Sequence, residues 1–162
     1  MNKINKEYLQ SAMFGFNDAL VSTTGVIVGI STGTNNKQVV ILAGVVTILV
    51  EALSMGSGQY LSSKSAHQLG RDKSFRVPVM GGLIMFGAYF LAGLVPLLSI
   101  ILTPMNYARY VAMATALTCL LVLGYVKGKI VGVSPVKSAL EVFVIGGIAT
   151  IIGVVVGNIF AI

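Results

Sequence analysis

The chain has 162 residues, of which 56% are hydrophobic and only 10% are charged, and its formal net charge at pH 7 is +6. A mean hydropathy of +0.91 lies far from that of an ordinary soluble domain. The composition therefore excludes a soluble globular protein and indicates an integral membrane protein. The basic residues lie in short segments beside long apolar runs, where membrane orientation explains them, so we expect no nucleic-acid partner.

Five long apolar runs follow one another along the chain. A membrane-spanning helix needs about 20 mostly apolar residues. The only charged residue in the first run is Asp18, and the only one in the second is Glu51. We therefore predict an all-α polytopic fold in which residues 1–162 form a single transmembrane domain, with spans at about 12–33, 38–63, 78–101, 109–126 and 138–161.

Polar segments and prolines separate these runs. Asn35, Asn36 and Lys37 predict a tight turn, residues 64–76 predict a polar and basic connection too short for a domain, and residues 127–137 predict a loop. The prolines fit this division, because proline is tolerated in the first turn of a helix but kinks or ends it elsewhere. Pro78 and Pro135 suit first turns, Pro96 suits a kink and Pro104 suits a stop.

The positive charges are unequally divided between the two sides of this predicted bundle. With the N-terminus in the cytoplasm, the outer connections hold only Lys37 and Arg109. The cytoplasmic side then holds nine basic residues: Lys3, Lys6, Lys64, Arg71, Lys73, Arg76, Lys127, Lys129 and Lys137. Because cytoplasmic segments carry the excess of Lys and Arg, we predict a cytoplasmic N-terminus and an external C-terminus.

Small residues form stripes on two of the spans. Gly25, Gly29 and Gly33 repeat every four residues along the first span, and Gly153 and Gly157 form a weaker stripe on the fifth. Such spacing lets helix backbones approach closely, either between protomers or within one bundle. An odd number of spans without an internal repeat favours an oligomer, but the glycines alone leave both kinds of packing open.

The acidic residues within the first two spans require an explanation. A carboxylate at mid-membrane costs about 2.5 to 3.5 kcal/mol on insertion scales and rarely faces lipid. If the first two helices fold back about Asn35, Asp18 lies level with Ala52. Glu51 and Met55 bracket that level and are one helical turn apart on one face of the second helix. One hairpin then gathers two carboxylates and a thioether at the same depth.

Two interpretations fit this group. The acids could be protonated and hydrogen-bonded across the bundle, with Met55 filling space. Alternatively, two carboxylates without a Lys or Arg partner hold a proton, a metal cation or both, and the thioether favours a transition ion over Mg²⁺ or Ca²⁺. We predict Asp18, Glu51 and Met55 as metal-binding residues, with three candidate path-lining residues beside them: Ser22, Ser54 and Gln59.

The other reactive residue types give weaker signals. Cys119, the only cysteine, fits a small core residue, and the solvated-loop interpretation of His67 and Asp72 is preferred over a weak metal entry point. The sequence contains no Ser/His/Asp set, paired-cysteine site or metalloprotease helix motif, so we do not expect an enzyme.

Two stretches carry a specific resemblance. GFNDALVSTTGVIVGI in the first span and LVEALSMGSGQYLSSKS in the second resemble the vacuolar iron transporter family and its prokaryotic relatives, and weaker similarity continues to the fifth span. The resemblance implies a two-fold dimer of five-span protomers, with an ion path between them through which Fe²⁺ leaves the cytosol in exchange for protons. It also implies that Asp18 and Met55 line the path.

The chain departs from this family pattern in two places. Well-characterised relatives carry a glutamate-rich cytoplasmic metal-binding region between the second and third spans, where this chain has only residues 64–76. Many relatives also have Glu at the position of Gln59 and a small residue at the position of Glu51. The acidic residue of the second span thus lies about two helical turns from the position that it has in those relatives.

These observations predict a homodimeric transporter that exports a divalent transition metal, Fe²⁺ or alternatively Mn²⁺, from a prokaryotic cytoplasm across the plasma membrane. Protons are the expected counter-ion, and no tightly bound cofactor is expected. Two rival hypotheses stay open: a transporter of another cation, such as an organic cation, and a non-transporting membrane subunit whose polar stripes serve helix packing.

Overall fold

The computed structural model describes residues 3–70 and 75–161, with side chains from residue 6 onward in the first of these ranges. It contains five helices: α1 (Lys3–Gly33), α2 (Lys37–Leu69), α3 (Arg76–Leu102), α4 (Met105–Val131) and α5 (Pro135–Ile159). Each is long and apolar enough to cross a membrane. The predicted all-α fold with five spans is confirmed.

The connections are shorter than the sequence pattern predicted. Helix α2 continues to Leu69, so the first part of the predicted connection 64–76 is helical, while its residues 71–74 lie outside the described ranges. Helix α4 continues to Val131, so the predicted loop 127–137 is reduced to residues 132–134. Both errors arose because polar residues can extend a helix into water once the apolar segment has left the membrane.

Local chemistry sets the helix ends. The Asn36 side chain accepts hydrogen bonds from the backbone N–H groups of Gln38 and Val39, which caps the start of α2. Gly132 ends α4 with a φ of 78°, a left-handed conformation that glycine adopts without a steric penalty. As predicted, Pro135 stands in the first turn of α5.

Helices α1 and α3 form the centre of the bundle. Helix α3 is the most buried span, and α1 contacts each of the other four helices. Helices α1 and α2 form an antiparallel hairpin in which the Ile27 side chain packs against Gly44, and a Cβ added to this glycine would lie 3.1 Å from Ile27 Cδ1. A core that includes Ile27, Val40, Ile48 and Ile100 fills this half of the bundle.

The glycine stripes of α1 and α5 meet within one protomer. A Cβ added to Gly29 would lie 2.9 Å from the backbone oxygen of Gly153, and one added to Gly33 would lie 3.1 Å from that of Gly157. The two backbones therefore touch without intervening side chains. Of the two alternatives that the sequence left open, the structure favours packing inside the bundle for these glycines.

Candidate ion site in the bundle

The hairpin of α1 and α2 brings Asp18 and Glu51 to the same region of the bundle. The contact of Ile27 with Gly44 fixes the register of the two helices. Counting outward from that contact, one residue at a time along each helix, places Asp18 opposite Leu53, between the levels of Glu51 and Met55. The two carboxyl groups are near enough for an appreciable Coulomb interaction. Both side chains are half-buried.

Tyr89 of α3 connects the first two helices at this depth. Its hydroxyl donates a hydrogen bond to Glu51 Oε2 at 3.1 Å and lies 2.6 Å from Ser22 Oγ. Because the tyrosine hydroxyl has only one hydrogen, the Ser22 hydroxyl donates to the tyrosine oxygen. The tyrosine side chain is fully buried. A continuous chain of hydrogen bonds thus runs from α1 through α3 to the carboxyl group on α2.

Asp18 differs from Glu51 in its partners. No hydrogen bond or ion pair joins the Asp18 carboxyl group to any described side chain, whereas Glu51 accepts the bond from Tyr89. A half-buried carboxylate without a protein partner requires a proton, water or a cation to satisfy it. Asp18 is therefore the acidic group with free coordinating oxygens.

The other residues predicted for the site lie in different environments. Met55 is half-buried and packs against the cluster that includes Ala52 and Tyr89. The Ser54 side chain is exposed on the outer surface of the protomer. Gln59 lies two helical turns beyond Glu51, toward the Leu69 end of α2. Its Nε2 atom would be 3.7 Å from a Cβ placed on Gly81 of α3.

The described residues of one protomer supply an incomplete set of strong metal ligands. Among the described residues, no group of three or more His, Cys, Asp and Glu side chains could hold a metal ion. The cluster nevertheless offers two carboxyl groups, the Met55 thioether and the Ser22 hydroxyl. Oxygen and thioether donors together suit a divalent transition ion. A full coordination shell would need water or donors from a second copy.

His67 has a carboxylate neighbour at the end of the bundle. Its Nε2 atom lies 3.3 Å from Glu7 Oε2, which links the last turn of α2 to the start of α1. The predicted partner Asp72 lies outside the described residues. His67 is therefore part of a contact between helices rather than of a loop, because α2 extends to Leu69.

Sequence reasoning missed Tyr89. A signal was available, since Tyr89 is the only side chain with a hydrogen-bonding group between Val77 and Leu98. Tyrosines of membrane proteins concentrate at the lipid–water interfaces, so a tyrosine in the middle of a span is unusual. It indicates a polar partner on another helix.

Comparison with known protein families gives an independent result. A family model described as the VIT family matches residues 9–76 and 66–158. The chain belongs to the VIT family. The family consists of membrane transporters, which confirms the resemblance found in the first two spans and the expectation of a transporter rather than an enzyme. As a VIT-family member with five apolar helices, the chain is a multi-pass membrane protein.

Individual relatives are plant proteins. Vacuolar iron transporter homolog 3 of Arabidopsis thaliana is 30% identical over 156 residues, which cover 88% of this chain and 78% of the relative. Vacuolar iron transporter 1 of Eucalyptus grandis is 26% identical over an alignment of 206 residues, covering 89% and 83% of the two chains. This alignment is longer than the present chain, so part of the Eucalyptus protein has no counterpart here. These relatives support a metal ion as the transported substrate.

Proposed function

We propose that this VIT-family protein exports Fe²⁺ from the cytoplasm in exchange for protons. The observation that carries the proposal is the half-buried pair of Asp18 and Glu51, placed beside Met55 in the middle of the bundle. Placing carboxyl groups in a membrane span is unfavourable and marks an ion or proton pathway. The names of the relatives, which are iron transporters, motivate the choice of iron.

Asp18 and Met55 are the proposed Fe²⁺ ligands. Asp18 has no partner among the described side chains, and its oxygens are available to an ion. The thioether of Met55 selects against Mg²⁺ and Ca²⁺, which prefer shells made entirely of oxygen. Ser22 and Gln59 are both half-buried, lie on opposite sides of this level along the bundle, and are proposed to line the path.

Glu51 is the proposed proton carrier or a further ligand. A carboxyl group must lose its proton to bind a metal. The site therefore holds either Fe²⁺ or protons, but not both at once. This exclusion is the minimum requirement for antiport. The hydrogen bond from Tyr89 holds the Glu51 carboxyl group in one orientation, and the further bond from Ser22 to the tyrosine oxygen extends a route for its proton.

A two-fold dimer would complete the coordination shell. On the outer surface of α2, Ser54, Ser57 and Gly58 are exposed in the middle of a membrane span. Small and polar residues at such a position favour contact with another helix over contact with lipid. A second copy seated on this face would bring two sets of Asp18, Glu51 and Met55 to one path.

The charge distribution supports the proposed direction of transport. The excess of Lys and Arg at one end of the bundle supports a cytoplasmic N-terminus, so export moves Fe²⁺ away from that end. We propose the plasma membrane of a prokaryotic cell as the site of action. The relatives compared above carry vacuolar names, and an outward movement from the cytoplasm is common to both locations.

Flux measurements in proteoliposomes test this function. We expect Asp18→Asn to lower Fe²⁺ flux by about 100-fold or more, because even the loss of a group that only orients a ligand typically costs 10–100-fold. Glu141→Gln is the matched control, since it removes the same charge from an exposed position on α5. Near-normal Fe²⁺ flux in Asp18→Asn would remove Asp18 from the mechanism.

The same assay separates the rival substrates. Fe²⁺, Mn²⁺ and a lipophilic organic cation are compared in the unmodified protein and in Met55→Ala. Loss of the thioether should lower metal flux and leave organic-cation flux unchanged. Transport of the organic cation alone, or no flux of any ion despite correct assembly, would contradict the proposed function.

A further inference from the structure

A groove separate from the carboxylate cluster opens between α1, α4 and α5. It has a volume of about 450 Å³ and lies at the end of the bundle where α1 begins and α4 ends. Its wall is mainly apolar and includes Met13, Phe14, Leu123 and Ile145. Two cations, Lys6 and Lys127, also line it.

The groove extends from the membrane surface toward the hydrocarbon. Lys6 lies about 18 Å along the helix axis from Asp18, so it falls near the boundary of a hydrocarbon layer about 30 Å thick. Lys127 stands one turn before the end of α4. Ile145 lies further along α5, in the apolar part of its span. The cations are thus at headgroup depth and the apolar wall at acyl-chain depth.

Neither lysine has a counter-ion among the side chains that the structure describes. Neither Lys6 nor Lys127 comes within 4.0 Å of a carboxylate oxygen among the described side chains. Glu141 lines the same groove but forms no ion pair with either. Two unpaired ammonium groups above an apolar cavity complement a molecule that joins a phosphate to hydrocarbon chains.

We propose that this groove binds an anionic phospholipid, with its phosphate held by Lys6 and Lys127 and one acyl chain lying against the apolar wall. The lysines disfavour a metal cation at this position, so the lipid site is distinct from the ion path and does not depend on the proposed transport function. Glu141 confines the negative headgroup to the lysine side of the groove.

Native mass spectrometry of the purified protein in detergent tests the lipid site. The protein is titrated with dioleoyl phosphatidylglycerol and, separately, with dioleoyl phosphatidylcholine of the same chain length. We expect tighter binding of phosphatidylglycerol. The double variant Lys6→Gln/Lys127→Gln should bind phosphatidylglycerol about thirtyfold more weakly, because each lysine near a membrane surface contributes about 1 kcal/mol.

A matched control uses two other lysines at the same end of the bundle. Lys129→Gln/Lys137→Gln makes the same change in net charge, but neither residue lines the groove. Its phosphatidylglycerol affinity should stay within about threefold of the unmodified protein, as expected for charges that act only through the general field. Equal losses in both double variants would overturn the proposal, as would equal binding of the two lipids.

The apolar wall is tested without altering any charge. Ile145→Trp places a larger side chain in the groove and should displace the lipid, whereas Ile148→Trp on an exposed face of α5 outside the groove should not. Thermal unfolding of each variant checks that the fold is retained. If Ile145→Trp instead dissociates a dimer and leaves lipid binding unchanged, the groove is occupied by a second copy and the lipid proposal is wrong.

Discussion

Asp18 and Glu51 carry the same functional group at one depth, yet their surroundings differ. Tyr89 donates a hydrogen bond to Glu51, while Asp18 has no partner among the described side chains. A hydrogen-bonded carboxyl group keeps its orientation and has fewer free lone pairs, whereas an unpartnered one can turn toward an ion. The difference favours Asp18 as a ligand and Glu51 as the group that exchanges protons with its neighbours.

Replacement of Tyr89 by phenylalanine tests this division of roles. Tyr89→Phe keeps the ring that fills the core but removes the hydroxyl between Ser22 and Glu51. We expect Fe²⁺ binding to persist, while the coupled proton flux falls. The free energy of unfolding should fall by about 1 to 3 kcal/mol, because Ser22 and Glu51 lose their buried hydrogen-bond partner. Fe²⁺ affinity, proton flux and unfolding are measured on the same preparation.

Tyr125→Phe serves as the control for this experiment. Tyr125 is exposed on α4, so loss of its hydroxyl should leave stability, Fe²⁺ affinity and proton flux unchanged. A Tyr89→Phe protein with normal proton coupling would exclude the hydrogen-bond chain from proton movement. Loss of Fe²⁺ binding together with coupling would instead assign Glu51 a ligand role.

At the scale of the helices, α1 is specialised on its different faces. One face meets α5 through backbone contact at Gly29 and Gly33, and another presents Ser22 to Tyr89 of α3. The close approach of α1 and α5 leaves no room for larger side chains between them. The position of α1, and with it the position of Asp18, therefore depends on these glycines.

Gly29→Ala should disturb this helix contact. The added methyl group would lie 2.9 Å from the backbone oxygen of Gly153, so the two helices must separate. Overpacking of this kind typically costs about 1 to 3 kcal/mol, which thermal unfolding in detergent would detect. Gly147→Ala on α5 is the control, because nothing lies within 4 Å of the added carbon. Equal stability of the two variants would show that the α1–α5 contact is adaptable.

At the scale of the whole molecule, the proposed function requires a second protomer to complete the metal site. Each copy offers two carboxyl groups at the candidate site, and no described residues form a larger metal-binding group. Most of the outer surface carries large apolar side chains suited to lipid, whereas Ser54, Ser57 and Gly58 interrupt it on α2. We propose that this small and polar surface of α2 forms the two-fold contact.

Cysteine cross-linking tests the proposed dimer. In a Cys119→Ala background, Ser54→Cys should give a covalent dimer on mild oxidation, since symmetry brings the same position of both copies together. Ile148→Cys, exposed on α5, should stay monomeric in the same membranes. Cross-linking at Ile148 but not at Ser54 would place the interface on α5, and a monomeric mass without cross-links would contradict the dimer.

The sequence by itself determined the features that depend on local composition. Apolar length predicted five spans because every backbone polar group in a membrane must be satisfied within its own helix. The glycine spacing and the position of Asp18 relative to Glu51 followed from helical geometry and one short turn. Connection lengths were predicted less well, since polar residues such as those from Lys64 to Leu69 continue a helix outside the membrane as readily as they end it.

Only the tertiary structure decided which residues meet across helices that are distant in sequence. It paired the glycines of α1 with those of α5, joined Tyr89 to Ser22 and Glu51, and turned Ser54 outward. Helical periodicity defines the faces of each helix but not the neighbour that each face will contact. That choice depends on the packing of all five helices together, because the close fit of one pair restricts the positions open to the others.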